Sequence, residues 1–329
     1  MRKLIYLLPV LLLFASCGPK GKPEKKTAYI QDQGMIWNTE FHITYAGPEA
    51  LRDSVRYTLT KVGNSLSVFD STSLVSIVNM QDSTPVNTDF IRVYVMSKKI
   101  NKLTGGAFDP TLSPLISAWG FGPGHKISSD TARIDSLMQF VGIEKTRLRN
   151  DALIKDDIRI RFNFSAIAKG YGCDCVGEMF ERNGVSDYLV EIGGEIVAAG
   201  KNPDGGNWNI SIDKPIFNDT AIVHESQIVI GFTDMGLATS GNYRNYHKSD
   251  EGIFGHTISS ETGRPVQTDV LSATVLASSS MQADALATSF MALGSKKSME
   301  VTGKLRLPVM LVCADTVWMS PQFKNLVKK

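Results

Sequence analysis

The chain has 329 residues, of which 43% are hydrophobic and 21% are charged, and its formal net charge is +2. This is an ordinary composition for a globular protein, with enough apolar side chain to bury a large core. Because there is no strong basic excess, the charge balance gives no electrostatic argument for binding nucleic acid.

The first residues predict a bacterial lipoprotein signal at residues 1–16. Two basic residues precede an apolar run that is too short to span a bilayer as a stable helix, and two small residues separate this run from Cys17. We therefore expect Cys17 to be acylated, to become the new N-terminus and to anchor the protein at the extracytoplasmic face of a bacterial membrane. An ordinary secretion signal followed by a chance cysteine is the alternative interpretation.

Residues 17–29 are expected to form the lipidated cysteine and a flexible tether, because they contain glycine, proline and lysine and little to bury. Cleavage after residue 16 removes two of the 35 basic residues and no acid, which leaves 33 basic against 33 acidic residues. The anchor is therefore expected to be lipid rather than a basic surface. The folded domain is expected to cover residues 30–329.

Apolar periodicity and turn residues predict strands and helices in uneven alternation. In chain order they are a strand at 40–47, helices at 49–66, 89–103 and 131–142, a strand at 158–167, a helix at 168–184, strands at 187–200, 208–215, 227–241 and 271–277, a helix at 281–294 and a hairpin at 308–320. Gly142 and Gly294 are expected to end their helices.

Strands in runs, with helices inserted at uneven intervals, favour an α+β fold with mixed or antiparallel sheets over a doubly wound sheet. About 300 residues are near the upper limit for one core, so we expect two intimately associated subdomains. Cys173, Cys175 and Cys313 do not form the pattern of a disulfide framework, and we expect them to be small buried residues.

The common nucleotide and hydrolase motifs GxxxxGK[ST], HExxH and GxSxG are absent, and no GxGxxG lies between a strand and a helix. Residues 104–124 are unusual because glycines and prolines alternate with aromatic residues around the single carboxylate of Asp109. Gly105 and Gly106 would let main-chain N–H groups approach a ligand closely. The segment is therefore either a ligand-binding loop or a buried turn held by Trp119.

Two further segments carry groups that suit a phosphorylated ligand. The Ala166 carbonyl and Lys169 lie where a strand is expected to turn into a helix, a position that suits phosphate, although a solvated lysine explains the same pattern. Asp284 and Thr288 are four residues apart on one helix face and offer two oxygen ligands for Mg²⁺. The alternative is a capping or solvent-facing pair.

His256 lies in a segment rich in turn residues and is one of five histidines in the chain. It is either a functional side chain or a hydrogen-bonded turn histidine. Upstream of it, Ser240 and Arg244 lie in another glycine turn and are able to hold anionic groups.

The order of these segments is similar to that of the FAD:protein FMN transferase family, also called ApbE. The resemblance covers residues from about 30 to the C-terminus. It rests on the blocks at 37–39, 66–79, 106–122, 163–171, 188–200, 238–246, 255–266, 283–288 and 318–323.

The resemblance implies a fold like that of the family and a site for FAD. It implies FAD contacts from Trp37, Phe69, Ala107, Phe108, Asp109, Lys169, Ile258 and Ala287. It also implies Mg²⁺ bound by the Ala166 carbonyl, Asp284 and Thr288, and a catalytic base at His256.

The chain departs from the family pattern at three places. Trp37 replaces the usual methionine, which changes the shape of the pocket while allowing stacking on a ring. Asn163 replaces a common aspartate, which removes a negative charge near the expected metal. Residues 259–261 replace an Asp-Pro-Arg-like stretch after His256 and alter its surroundings.

The activity that the resemblance implies is Mg²⁺-dependent transfer of FMN from FAD to a Ser or Thr hydroxyl of an acceptor protein, with release of AMP. The implied acceptors are membrane redox subunits such as those of the Nqr and Rnf complexes. Two alternatives keep the same site, namely an Mg²⁺-dependent FAD pyrophosphatase and a lipid-anchored flavin-binding protein without catalysis.

Overall fold

The computed structural model describes residues 28–121, 131–216, 225–242, 246–249 and 252–328. The expected signal at 1–16, the expected lipidation site at Cys17 and Arg244 lie outside the described residues. The first strand already begins at Tyr29, the last residue of the expected tether.

Helices and strands within this part of the chain are as follows. The helices are α1 (Leu51–Leu66), α2 (Leu74–Val78), α3 (Thr88–Leu103), α4 (Ser113–Ala118), α5 (Thr131–Met138), α6 (Ala168–Arg182), α7 (Ser280–Leu305) and α8 (Pro321–Lys324). The strands are β1 (Tyr29–Ile36), β2 (Thr39–Ala46), β3 (Ser83–Pro85), β4 (Thr146–Arg149), β5 (Ala152–Lys155), β6 (Tyr188–Ile192), β7 (Glu195–Ala199), β8 (Trp208–Asp213), β9 (Ser226–Phe232), β10 (Met235–Gly241), β11 (Tyr246–Ser249), β12 (Gly252–Gly255), β13 (Val270–Ala277), β14 (Val309–Cys313) and β15 (Val317–Met319).

One eight-stranded sheet forms the centre of the fold, in the order β1-β2-β6-β7-β10-β13-β14-β15. All neighbouring strands in it run antiparallel. Three smaller sheets, β3-β5-β4, β8-β9 and β11-β12, lie outside it. This architecture confirms the expected α+β class with antiparallel sheets and packed helices.

The side chains of the central strands separate into two layers by strict alternation. In β14, Val309 and Leu311 pack in the cluster that contains residues of α3 and α7, whereas Met310 and Val312 pack with residues of β8 and β9. Alternate residues of a strand point to opposite faces, so the sheet carries α3 and α7 on one face and the β8-β9 pair with α8 on the other.

The helical face contains two hydrophobic clusters. One joins α1 and α6 to β2 and β6, and the other joins α3 and α7 to β10, β13 and β14. Trp37 packs against both clusters. The two clusters share a single sheet, and the candidate site lies where α6 meets α7.

The prediction of a strand at 158–167 is wrong. This segment forms a single-residue bridge between Leu112 and Arg161. The side chain of Asn79 takes the place of a strand neighbour, because its Oδ1 accepts from Phe162 N at 2.7 Å and its Nδ2 donates to Phe162 O at 2.9 Å. Apolar alternation alone did not distinguish these side-chain bonds from a strand ladder.

Two glycines act differently from the prediction. The helix expected at 131–142 ends at Met138, and Gly142, with a φ of 133°, precedes a short 3-10 turn at Ile143–Lys145. Gly294 does interrupt α7 with a φ of 74°, but the helix resumes and continues to Leu305. The second half of α7 can begin there because Asp269 Oδ1 accepts from Ser295 N at 3.0 Å.

In the part of the chain that the structure describes, no helix combines the length and the hydropathy that are needed to cross a bilayer. Cys173, Cys175 and Cys313 are free and buried, as expected.

Candidate active site

The first turn of α7 is packed tightly between neighbouring elements. An added Cβ on Gly170 of α6 would lie 2.3 Å from Ser280 O, and one on Gly236 of β10 would lie 2.0 Å from Ser280 N. The carboxylate of Asp174 accepts from Ser280 N and Met281 N at 2.8 and 2.9 Å. A carboxylate at a helix N-terminus is favourable, so Asp174 joins α6 to α7 and sets the position of the residues further along α7.

Asp284 lies one turn further along α7 and points at the start of α6. Its side chain is buried, and Oδ2 accepts from Gly170 N at 3.1 Å. Thr288 Oγ1 lies 3.2 Å from Ser240 Oγ at the end of β10. Asp284 and Thr288 thus lie on one face of α7, as their spacing predicted, where the helix meets α6 and β10; Asp284 is buried and Thr288 is half-buried.

Asp284 lies near two other charged groups, the buried Glu195 and the half-buried Lys169. Glu195 begins β7, is 2% exposed and forms an ion pair with Lys169 of α6. Burial raises the pKa of Asp284 above its ordinary value, Glu195 raises it further, and Lys169 opposes the shift. A raised pKa means that the ionised carboxylate lacks full compensation, which is the condition that a bound cation would relieve.

A cavity of about 180 Å³, here called the Trp37 cavity, opens beside the start of α6. Its lining residues include Trp37, Leu66, Phe69, Ser165, Ala168 and Lys169. The Phe69 side chain is 66% exposed and stands at the edge of the cavity. Three of the eight residues expected to contact FAD therefore share one apolar cavity next to Asp284.

Trp37 has an unusual backbone conformation. Ile36 pairs with Thr39, so Trp37 and Asn38 form a two-residue turn, and their φ values are 50° and 61°. Such a turn favours Gly, Asn or Asp, and a bulky residue at positive φ is strained. The strained turn places the indole against two glycines: added Cβ atoms on Gly63 and Gly172 would lie 2.6 and 2.5 Å from its ring atoms.

A second cavity, of about 600 Å³ and here called the Gly105 cavity, lies at the loop between α3 and α4. Its lining residues include Gly105, Gly106, Ala107, Asp109, Glu144, Ser260, Glu261, Ala292 and Lys297. Gly105 and Gly106 have φ values of 62° and 89°, and added Cβ atoms on them would meet no atom within 4 Å. The unusual segment is thus a cavity wall, and two more of the expected FAD residues line it.

Asp109 is held by its own loop. Its carboxylate accepts from Thr111 N at 2.8 Å, from Thr111 Oγ1 at 2.6 Å and from Ile143 N at 3.0 Å. Burial raises the pKa of Asp109 and these bonds partly lower it. Because both oxygens have partners, Asp109 contributes chiefly the shape of the cavity wall.

The segment that contains His256 is fastened to the same loop. Ser260 Oγ donates to Gly106 O at 2.6 Å, and Trp119 Nε1 donates to Gly263 O at 2.8 Å. His256 is half-buried, and its ring lies edge-on to Phe121 with centroids 6.3 Å apart. Loop 104–121 and residues 256–265 therefore form one unit, which brings His256 to the same side of the molecule as the Gly105 cavity.

Three expected FAD residues have side chains inside the core. Phe108 and Ala287 pack in the cluster around α3 and α7, and Ile258 packs with residues of α4 and α5. These side chains lie behind the cavity walls rather than on them. The structure therefore brings together five of the eight expected residues in two cavities and leaves these three as supports.

The departures from the family pattern have local structural roles. Asn163 Oδ1 accepts from Ser165 N at 2.8 Å, and Asn163 N donates to Pro110 O at 2.7 Å, so this asparagine shapes the turn that leads to Ala166. Ser259 O accepts from Gly263 N at 2.9 Å and closes a tight turn after His256. Asn163 and residues 259–261 therefore each form part of an ordered turn at the site.

Glu195 and Lys297 were not recognised as site residues from the sequence. Glu195 follows Gly193 and Gly194, whose φ values of 61° and 100° form a two-residue hairpin turn. The sequence shows a carboxylate directly after a Gly-Gly turn and a lysine at the start of a helix. Together these two features are only a weak signal for an ion pair. Lys297 lies beyond the kink at Gly294, where helical periodicity no longer applies.

Comparison with solved structures places the fold among known flavin transferases. The chain is similar to the flavin transferase ApbE from Vibrio cholerae, with a TM-score of 0.81 and 32% identity over 91% of this chain and 99% of that chain. It is also similar to the flavinyl transferase ApbE from Pseudomonas stutzeri, with a TM-score of 0.81 and 27% identity over 92% of this chain and 99% of that one.

The sequence comparisons agree with the structural ones. The chain is 35% identical to the FAD:protein FMN transferase of Haemophilus influenzae, over 95% of this chain and 93% of the relative. It is 33% identical to that of Vibrio cholerae, over 95% of this chain and 94% of the relative. The sequence model of the ApbE family matches residues 37–311. The chain belongs to the ApbE family.

Proposed function

We propose that this protein transfers FMN from FAD to a hydroxyl group of an acceptor protein and releases AMP. The main support is the position of Asp284 and Thr288 on α7. Asp284 lies beside Lys169, which lines the Trp37 cavity, and Ala292, one turn beyond Thr288, lines the Gly105 cavity. Family membership and relatives named FAD:protein FMN transferase support the same activity.

The two cavities suit the two halves of FAD. From Asp284 through Thr288 to Ala292, α7 advances by about 12 Å at its regular rise per residue. Ala292 lines the Gly105 cavity, and Lys169 beside Asp284 lines the Trp37 cavity. A diphosphate along this stretch of α7 would place the adenosine end against Trp37 and Phe69. It would place the larger flavin ring in the larger cavity.

The residues present fit a magnesium ion that is bound by three kinds of oxygen: a carboxylate, a hydroxyl and a main-chain carbonyl. The described residues contain no group of three or more His, Cys, Asp or Glu side chains placed to hold a metal. Asp284 is instead a buried carboxylate with a raised pKa, and the Thr288 hydroxyl lies one turn away. The Ala166 carbonyl, in the turn before α6, would be the third protein ligand. A bound Mg²⁺ would neutralise charge on the diphosphate.

The chain's own residues supply the remaining functions. Lys169 would contact a phosphate group at the start of α6, where N–H groups and the helix dipole also favour an anion. His256 would accept the proton of the attacking Ser or Thr hydroxyl. The attack on the FMN phosphorus forms a phosphoester and breaks the bond to AMP, which leaves with the bridging oxygen.

We propose that the mature protein is anchored to a membrane through acylated Cys17 and that its acceptors are membrane redox subunits such as those of Nqr- and Rnf-like complexes. A shared membrane surface raises the effective concentration of enzyme and acceptor. The support is the order of basic, apolar and small residues before Cys17.

Incubation with Mg²⁺, FAD and an acceptor domain tests the proposed activity. In-gel flavin fluorescence on the acceptor, with AMP released in equal amount, is the expected result. Free FMN and AMP without labelling would instead indicate hydrolysis, and unchanged FAD would indicate a flavin carrier. The His256→Ala variant is expected to bind FAD and to leave the acceptor unlabelled.

A further inference from the structure

Glu195 lies directly behind Lys169, away from the Trp37 cavity. Its side chain is 3% exposed, whereas the side chain of Lys169 is 32% exposed and lines the cavity. Glu195 is not among the lining residues of that cavity. Any effect of Glu195 on a ligand there would therefore pass through Lys169.

Two hydrogen bonds hold the main chain at and just before Glu195. Cys173 Sγ of α6 donates to Glu195 O at 3.2 Å. In the preceding turn, Gly194 N donates to Glu191 Oε1 at 2.6 Å. Glu195 thus begins β7 at a defined point opposite α6, and its side chain meets the first turn of that helix.

The ion pair determines where a long, flexible side chain places its charge. Lysine has four rotatable carbon links and loses much conformational freedom when its ammonium group is held. An ammonium group has three donors, so a bond to Glu195 is compatible with a bond to a phosphate oxygen. Without the carboxylate, the ammonium group would lose one of the contacts that fix its position and would bind an anion less well.

We propose that Glu195 is a positioning residue for the diphosphate of FAD: it holds the Lys169 ammonium group at the inner end of the Trp37 cavity. This inference rests on the proposed function and adds a residue that does not touch the substrate. The pairing with Lys169 also explains why the Glu195 carboxylate is buried beside Asp284, where a second negative charge would otherwise be unfavourable.

Glu195→Gln tests the proposal through two ligands that differ only in the diphosphate. Calorimetric titration of the full chain in Mg²⁺ with ADP and with adenosine measures binding without turnover. The variant is expected to bind ADP about tenfold more weakly, as the loss of one charge-assisted contact would cause, and to bind adenosine unchanged. A purely structural role for Glu195 would weaken both ligands.

Glu178→Gln is the matched control, because Glu178 also forms an ion pair from α6, with Arg92, and is half-exposed. It lies nine positions beyond Lys169, or about 14 Å along the helix. It is expected to bind ADP like the unaltered chain. Equal ADP affinity in Glu195→Gln, parallel losses for ADP and adenosine, or no ADP binding by the unaltered chain would each overturn the proposal.

A second set of variants applies if Glu195→Gln does not fold. Lys169→Met alone is expected to lower Tm, since it leaves Glu195 buried without its partner. Lys169→Met/Glu195→Gln is expected to recover Tm without recovering ADP affinity. Unchanged Tm in Lys169→Met, or ADP binding regained in the double variant, would contradict the inference. The acceptor-labelling assay on the unaltered chain tests the proposed function separately. A failure of the Glu195 proposal can therefore be distinguished from a failure of the proposed function.

Discussion

At the scale of single residues, the structure compensates buried charges by different local means. Asp174 meets the N-terminus of α7, Lys169 meets Glu195, and Lys155 is surrounded by main-chain carbonyls. Asp284 accepts one main-chain N–H group, from Gly170. Asp284 therefore has fewer hydrogen-bond donors than Asp174, which supports the proposal that a cation binds beside it.

Replacing Asp284 by alanine tests this interpretation. We expect the Asp284→Ala variant to fold, because it loses a single hydrogen bond, typically about 1 kcal/mol, together with an unfavourably buried charge. Mg²⁺-dependent transfer is expected to fall at least about 100-fold, since charge neutralisation by a metal contributes several kcal/mol. Circular dichroism and the acceptor-labelling rate measure the two effects. Asp135→Ala, on the exposed side of α5, is the control, and undiminished labelling by Asp284→Ala would remove the metal assignment.

Lys155 gives a prediction about pH. It is 5% exposed, and its Nζ donates to the carbonyls of Val78, Ile158 and Ile160 at 2.9, 3.1 and 2.9 Å. Burial, followed by the charge of Arg161, lowers the pKa of Lys155 to about 8 from an ordinary value of 10.5. Between these two values the unfolded chain holds the proton and the folded chain does not, so this lysine makes stability rise with pH.

We therefore expect the free energy of unfolding to gain up to about 3 kcal/mol from Lys155 between pH 8 and 10.5, the window set by its two pKa values. Lys155→Met should lack this gain while sharing every other titration of the chain. Urea unfolding of both proteins at several pH values measures the difference. Parallel stability curves for the two proteins would show that the pKa of Lys155 is not lowered by folding.

At the scale of elements, the close contact between α6 and α7 positions the site. Gly170→Ala would place a methyl carbon 2.3 Å from Ser280 O, which belongs to the main chain and cannot move aside alone. We expect this variant to separate the two helices, to lower Tm and to weaken FAD binding, because Asp284 and Lys169 lie on the two helices concerned. Thermal unfolding and an FAD titration measure these effects.

Gly303→Ala is the matched control for the helix contact. Gly303 lies in the second half of α7, and an added Cβ would meet no atom within 4 Å. Alanine favours an exposed helix interior over glycine by about 0.5–1 kcal/mol, so this variant is expected to gain stability and to bind FAD normally. Normal FAD affinity in Gly170→Ala would show that the site tolerates separation of α6 from α7.

Elements with regular apolar periodicity were predicted well from the sequence. The helices α1, α3 and α6 and the C-terminal hairpin lie where expected, and α1 and α3 each bury one face at helical spacing. Strand β1 was missed because its burial alternates weakly at the edge of the sheet. The segment at 158–167 was wrongly predicted because a side chain, Asn79, satisfies its backbone.

At the scale of the whole molecule, the antiparallel sheet gathers segments that are far apart in the sequence. Trp37, Lys169, Glu195 and Asp284 come from a turn, two helices and a strand, and they meet at the junction of α6 and α7. Spacing within one helix predicted the pair of Asp284 and Thr288. The ion pair with Glu195 depends on strand order, which the sequence alone did not provide.

The two-cavity arrangement is also a property of the whole fold. The Gly105 cavity depends on hydrogen bonds between loop 104–121 and residues 256–265, which are about 150 positions apart in the chain. The resemblance named residues on both cavities without separating them. The structure assigns five of the eight to a cavity wall and shows that Phe108, Ile258 and Ala287 support the walls through the core.

Titration of the purified chain with FAD in the presence and absence of Mg²⁺ tests the claim that the FAD diphosphate lies along α7 beside Asp284 and Thr288. We expect saturable FAD binding that is tighter with Mg²⁺, and we expect Asp284→Ala to lose only the Mg²⁺-dependent part. The absence of saturable FAD binding by the unaltered chain in Mg²⁺ would contradict the claim.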